Sequence, residues 1–92
     1  MTGSVTREVR IGNARGLHAR ASAKFVNLAS EIDSTIEVEK DGHRVCGTSI
    51  MGLMMLGAAK GDTITISATG LGAERAVAEL AALVEALFNE PE

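Results

Sequence analysis

Polar and apolar residues alternate at the start of the chain. Val5, Val9 and Ile11 stand at odd positions among Thr6, Arg7, Glu8 and Arg10. A period of two places such side chains on one face of an extended backbone, so a strand is predicted over residues 5–11. Asn13-Ala14-Arg15-Gly16 follows as a loop. Between residues 19 and 32 the period lengthens. Ala21, Phe25, Leu28, Ala29 and Ile32 recur at i, i+4, i+7, i+8 and i+11, one stripe of a helix that Asp33-Ser34 ends. Alternation returns over residues 35–40, where Ile36 and Val38 share a face. Asp41-Gly42 is a two-residue hairpin signal, and Arg44-Val45-Cys46 reads as the returning strand. Gly47-Thr48-Ser49 looks like a cap before a short helix holding Ile50, Met51, Leu53, Met54 and Met55. The chain turns over residues 57–62. A fourth strand is predicted over residues 63–68, with Ile64 and Ile66 on one face. After Gly70-Leu71-Gly72, residues 73–88 carry the stripe Ala76, Val77, Leu80, Val84, Leu87 and Phe88 of a last helix. The tail Asn89-Glu90-Pro91-Glu92 is expected to fray.

The order β-α-β-β-α-β-α, with strands that are apolar on one face only, predicts an α+β fold: an antiparallel sheet with its helices stacked on one side. A length of 92 residues suits a single domain, residues 1–92, with one modest core. A carrier, binding or regulatory domain fits that size better than multi-step chemistry on a large substrate. The formal net charge is −3, and Phe25 and Phe88 are the aromatic residues. Neither a basic footprint nor a base-stacking platform is present, which argues against nucleic acid as a partner. The single cysteine, Cys46, cannot form an internal disulfide and fits a reducing compartment. The start of the chain is polar, and its apolar stretches are broken by Gly, Lys and Asp. A cytoplasmic protein with no membrane span is therefore expected.

The candidate chemistry lies in Gly16-Leu17-His18-Ala19-Arg20, where a loop enters the first helix. The first turn of a helix leaves backbone N–H groups without intrahelical partners, and the aligned peptide dipoles make that end partly positive. The amides of Ala19 and Arg20 are thus placed to hold an anion on His18. The Arg20 guanidinium can add paired hydrogen bonds to phosphate oxygens. Gly16 permits a tight turn that leaves the imidazole uncovered. An imidazole has a reference pKa of about 6.5, so near neutrality it is a nucleophile able to form a labile phosphohistidine. Taken alone, the same residues also describe an ordinary exposed polar helix end.

Gly16-Leu17-His18-Ala19-Arg20 resembles the active-site signature of the HPr phosphocarriers of the bacterial phosphoenolpyruvate-dependent phosphotransferase system. Thr48-Ser49-Ile50-Met51-Gly52-Leu53-Met54-Met55-Leu56-Gly57-Ala58-Ala59-Lys60-Gly61 is similar to that family's second signature, a regulatory serine followed by a short hydrophobic helix. The likeness runs through nearly the whole chain. It implies an open-faced β-sandwich, a four-stranded antiparallel sheet covered on one face by three helices. It implies that Enzyme I phosphorylates His18 on Nδ1 and that His18 passes the group to an EIIA-type domain, for sugar transport or a regulatory phosphorelay. Arg20 matches the family's active-site arginine. Ser49 matches the serine that HPr kinase/phosphorylase modifies in some bacteria. Ala21 departs from the pattern, since proline usually follows the arginine; a slightly more flexible helix start is expected. Asn13-Ala14-Arg15 and the Leu53-Met54-Met55-Leu56 run resemble the nitrogen-related NPr branch.

Ser49 also has a purely local reading as a helix N-cap. Ile50, Met51, Met54 and Met55 are more apolar side chains than a short helix can bury. Ile50, Met51 and Met54 are expected to form a docking patch, while Leu53 and Leu56 pack inward. His43 and Cys46 stand three apart and so face opposite sides of a strand, which argues against a metal site; Cys46 is expected to be buried. Glu74, Glu79 and Glu85 fall off the last apolar stripe, as a solvated face does. No cofactor is implied, and a monomer is expected. Two other functions fit the residues: a regulatory interaction protein controlled through Ser49, and a small phosphatase with Arg20 as its phosphate cradle and Asn13 beside it.

Overall fold

A computed structural model describes residues 4–90. Its elements are β1 (Ser4–Arg10), α1 (Ala19–Ser30), β2 (Thr35–Lys40), β3 (His43–Cys46), α2 (Ile50–Met55), β4 (Thr63–Thr69) and α3 (Ala73–Glu85), followed by a single 3-10 turn over Leu87–Asn89. The strands form one antiparallel sheet in the order β1-β4-β2-β3. The helices cover one face of it, as the alternation of apolar residues along the strands requires.

Register explains which side chains meet. Ile64 of β4 lies opposite Val9, Ile66 opposite Arg7 and Val38, and Ala68 opposite Val5 and Ile36. These rows make the inner face of the sheet. Phe25 of α1, Leu53 of α2 and Leu80 and Val84 of α3 complete the core against it. Arg7 also belongs to the inner face by parity, but β1 is an edge strand. Its guanidinium reaches around to Glu85 at the end of α3, at 3.3 Å. The opposite face carries the row Thr6, Ser67, Glu37 and Cys46 and stays open to solvent. Cys46 is therefore exposed rather than buried as expected. Val45, its neighbour on β3, is the residue that turns inward, opposite Val38.

The β2–β3 hairpin closes with Asp41 at φ 51° and Gly42 at φ 83°, the two positive φ values its sequence signal implied. Several boundaries differ from the sequence reading, those of β3 and β4 by a single residue. β1 begins and ends one residue earlier, although Ile11 still exchanges backbone hydrogen bonds with the 61–62 loop. α1 ends at Ser30, and Ile32 is buried from the turn that follows. α3 ends at Glu85 because Leu87, Phe88 and Asn89 take φ values of 58°, 55° and 59°. Phe88 keeps its helical spacing from Val84, yet a left-handed reversal delivers its ring to the same core. Left-handed backbone at non-glycine residues is costly. Here it is held by the burial of Phe88 and by Lys24, whose Nζ donates to the Phe88 carbonyl at 2.6 Å. The tail does not fray at Asn89 and Glu90, which are tied to the body of the protein; Pro91 and Glu92 lie outside the described residues. No described helix is long and apolar enough to cross a membrane.

Gly16 fixes where α1 starts. Its φ is +65°, and a Cβ there would stand 2.2 Å from the carbonyl oxygen of Ala58. That same oxygen accepts the N–H of Leu17 at 2.9 Å, clamping the loop before α1 onto the loop after α2. Gly16→Ala is expected to destabilise the protein by roughly 2–4 kcal/mol, through both the clash and the left-handed backbone. The urea midpoint against wild type measures this.

Candidate functional site

His18 is the N-cap of α1, with extended φ −77° and ψ −177°. Its carbonyl accepts the first helical bond, from Ser22 N–H at 2.9 Å. Its side chain replaces the usual Ser, Thr or Asp oxygen. Nδ1 accepts a hydrogen bond from the Arg20 backbone N–H at 3.2 Å. The other nitrogen, Nε2, lies 2.7 Å from Oε2 of Glu90. The ring is thus neither bare nor interior: its side chain is 21% exposed, partly covered by the tail.

Glu90 arrives at His18 from 72 residues away in sequence. Its second oxygen, Oε1, accepts from Asn13 Nδ2 at 3.2 Å, and the same amide nitrogen donates to the Gly16 carbonyl at 2.9 Å. Asn13 is fully buried, and its amide is turned so that both donors are used while Oδ1 has no partner among the described residues. An aspartate in its place could donate neither to the Gly16 carbonyl nor to the Glu90 carboxylate. Burial pushes the Glu90 carboxyl up, but the hydrogen bonds from His18 and Asn13, with the charges of His18 and Lys24, outweigh it and hold the group below its ordinary 4.5. Glu90 is therefore a carboxylate near neutrality, and it carries no hydrogen to share. Because the Arg20 amide donates to Nδ1, Nδ1 is the acceptor nitrogen of the neutral ring, and the proton shared with Glu90 belongs to Nε2. The lone pair is left on Nδ1, facing the Arg20 amide.

Ala19 and Arg20 are the first two residues of α1, and both are exposed. The Arg20 guanidinium makes no ion pair with the described residues. It is free to meet an anion arriving at Nδ1. Ala21 and Ser22 begin the buried face behind them, and Ser22 Oγ donates to the Leu17 carbonyl at 3.2 Å. The structure therefore gathers His18, Ala19 and Arg20 at one helix end, as their spacing implied. It adds Asn13 and Glu90 to them.

Ser49 caps α2, its Oγ accepting from Gly52 N–H at 2.9 Å, so the local reading of this residue holds. α2 packs against α1 through fully buried Leu53. Its outer side exposes Ile50, Met51, Met54 and Met55, the last at 78%. The docking patch expected from Ile50, Met51 and Met54 thus extends to Met55. Cys46 stands beside this helix start, with Sγ 3.0 Å from Thr48 Oγ1. The Thr48 hydroxyl and backbone bonds pull its thiol below the ordinary value, against burial and the charge of Glu37. His43 is exposed at the far end of β3.

Comparison with known proteins follows the same outline. A family model described as the PTS HPr component phosphorylation site matches residues 5–86. The phosphocarrier protein HPr of Neisseria meningitidis (serogroup A, serotype 4A) is 45% identical over 86 residues, covering 94% of this chain and 97% of the relative. The phosphocarrier protein NPr of Shewanella violacea is 42% identical over 84 residues, covering 91% and 92%. Among solved structures, HPr from Thermoanaerobacter tengcongensis superposes with a TM-score of 0.88 at 43% identity, covering 98% of this chain and 99% of that one.

The depressed Glu90 carboxyl has a defined sign in stability. A group whose pKa is lower folded than unfolded contributes above its unfolded value, and the contribution is lost as pH falls through the folded value. Glu90→Gln should therefore be less stable than wild type at pH 7. The gap should shrink as the medium is acidified below the ordinary carboxylate range, in paired denaturation curves. Ser49→Ala is expected to cost about 1 kcal/mol by loss of the α2 cap, read from the same curves.

Proposed function

This chain belongs to the HPr family of phosphocarrier proteins, and on that premise we propose that it accepts a phosphoryl group from phosphorylated Enzyme I on His18 and passes it to an EIIA-type protein in the cytoplasm. The observation that carries this reading is the Nδ1 lone pair of His18 standing at the first turn of α1, beside the Arg20 amide. In the transfer, that lone pair forms a new P–N bond. The bond from phosphorus to the donor breaks, and its electron pair returns to the donor's leaving nitrogen. Charge spread over the phosphoryl oxygens meets the amides of Ala19 and Arg20 and the exposed Arg20 guanidinium. Binding and positioning supply most of the catalysis in such a transfer, so a small carrier needs little more than this.

Docking rests on α2. Ile50, Met51, Met54 and Met55 form an exposed apolar surface on the helix packed against α1. Flexible methionines suit a carrier that must fit a donor and an acceptor in turn. Phosphorylation of Ser49, at the edge of this surface, would add nearly two negative charges beside Ile50 and Met51 and weaken docking there. That is how a regulatory role, with an HPr kinase/phosphorylase as partner, would work on this chain. The phosphatase reading loses support because Asn13 is fully buried and its amide is committed to Gly16 and Glu90, so it cannot position a water at Arg20.

Incubation with Enzyme I and phosphoenolpyruvate is expected to place an acid-labile phosphate on the wild type and none on His18→Ala. Labelling of His18→Ala would overturn the assignment. Arg20→Ala should slow transfer by about tenfold or more while leaving the melting curve in place, because the side chain is exposed. Met54→Glu should raise the Kd for Enzyme I without altering the single-turnover rate at saturation, read by titration and rapid quench.

A further inference from the structure

The His18 ring is held at both nitrogens, and only one of the two contacts comes from its own helix. The second comes from a tail that reverses direction to reach it. Three features build that contact. The left-handed run Leu87, Phe88 and Asn89 turns the chain back after α3, and Phe88 anchors it in the core. Lys24, on the second turn of α1, donates to the Phe88 carbonyl and fixes the turn against the helix that carries His18. Asn13, fully buried in the loop before His18, donates to the other Glu90 oxygen and sets the carboxylate's orientation. The Glu90 side chain is 11% exposed, so this is not a loose surface pair.

We propose that Glu90 is a positioning residue for phosphoryl acceptance: its carboxylate takes the Nε2–H of His18 and so keeps the reactive lone pair on Nδ1, at the start of α1. The inference rests on the carrier reading of His18 given above. It assigns the tail a chemical task that the signature residues do not cover. A neutral imidazole can carry its proton on either nitrogen, and only the Nε2–H form presents a lone pair to the Ala19 and Arg20 amides. The Arg20 amide already favours that form by donating to Nδ1, and the carboxylate adds to the selection from the other side of the ring. It also occupies the side of the ring from which Nε2 could accept a phosphoryl group.

The electron count agrees with this role. When Nδ1 donates its pair to phosphorus, the bond to the donor breaks and its pair leaves with the donor. The ring keeps the Nε2 proton and becomes cationic. Glu90, 2.7 Å from that proton, faces the new charge directly. On transfer to the acceptor, the pair of the P–N bond returns to Nδ1 and the ring is neutral again. The carboxylate itself is never protonated in either step, the same division of labour as an aspartate behind a catalytic histidine.

The test is nitrogen-15 NMR of the His18 ring in the full chain, above neutral pH, on wild type, Glu90→Gln and Glu90→Ala. Glutamine has the same shape but can either accept from Nε2–H or donate to a bare Nε2, so it removes the part of the selection that the carboxylate adds to the Arg20 amide's. The wild type is expected to show the Nε2–H form almost alone, and both variants a measurable share of the Nδ1–H form. Acceptance from phosphorylated Enzyme I should then slow in kcat, with KM unchanged, by roughly threefold or more, as the competent fraction falls and the facing charge is lost. The same tautomer balance in all three proteins would overturn the proposal, as would an unchanged kcat in both variants. Amide spectra establish that the variants are folded. The tautomer measurement uses no phosphate, so failure here is distinct from failure of the carrier reading, which would appear as a wild type that takes no label.

Discussion

A helix that begins on a histidine is the constraint from which the rest of this structure follows. An N-cap side chain must accept a hydrogen bond from the backbone just inside the helix, and His18 does so with Nδ1. That requirement fixes χ angles, ring orientation and the identity of the nitrogen that faces outward along the helix end. The amides and dipole that the cap answers are the same ones that a phosphoryl group would meet. In the proposed transfer, capping and phosphoryl acceptance compete for one lone pair. A histidine cap is a weaker structural choice than serine or aspartate, and it is the choice that leaves a nucleophile at the positive end.

Everything near that lone pair serves to keep the helix start where it is. Gly16 lets the loop pass within contact of the Ala58 carbonyl, and Leu17 bonds to the same oxygen. Phe25, Leu53 and Ile66 bury the other side of α1 and α2 against the sheet. Because α2 packs on α1, its apolar outer surface is held in a fixed relation to the cap. A partner docked on Met51 and Met54, as proposed, would therefore be delivered to a defined place relative to His18.

Much of this was legible in the sequence, for identifiable reasons. Strict alternation over β2 and β4, the Asp41-Gly42 turn and the Ser49 cap are local signals, and each element formed where its own residues put it. Gly16-Leu17-His18-Ala19-Arg20 is likewise local, so the helix-end site was visible. What failed was long-range or register-dependent. Cys46 reads as buried by its apolar type, but its side is set by pairing with Glu37 across the hairpin, on the open face. Phe88 has helical spacing from Val84, so nothing in the periodicity marks the reversal that ends α3. Glu90 sits in a polar tail whose composition reads as solvated. Its partners, His18 and Asn13, lie more than seventy residues away, and no local pattern connects them. The missed residues are those whose roles depend on how the tail folds back.

The most direct measurement is a phosphorus–nitrogen correlation spectrum of the nitrogen-15-labelled protein after phosphorylation by Enzyme I. It reports which atom carries the phosphate. A single coupling from phosphorus to Nδ1 of His18 is expected. Coupling to Nε2, or phosphate bound to any residue other than His18, would contradict a site built on the capping nitrogen of α1.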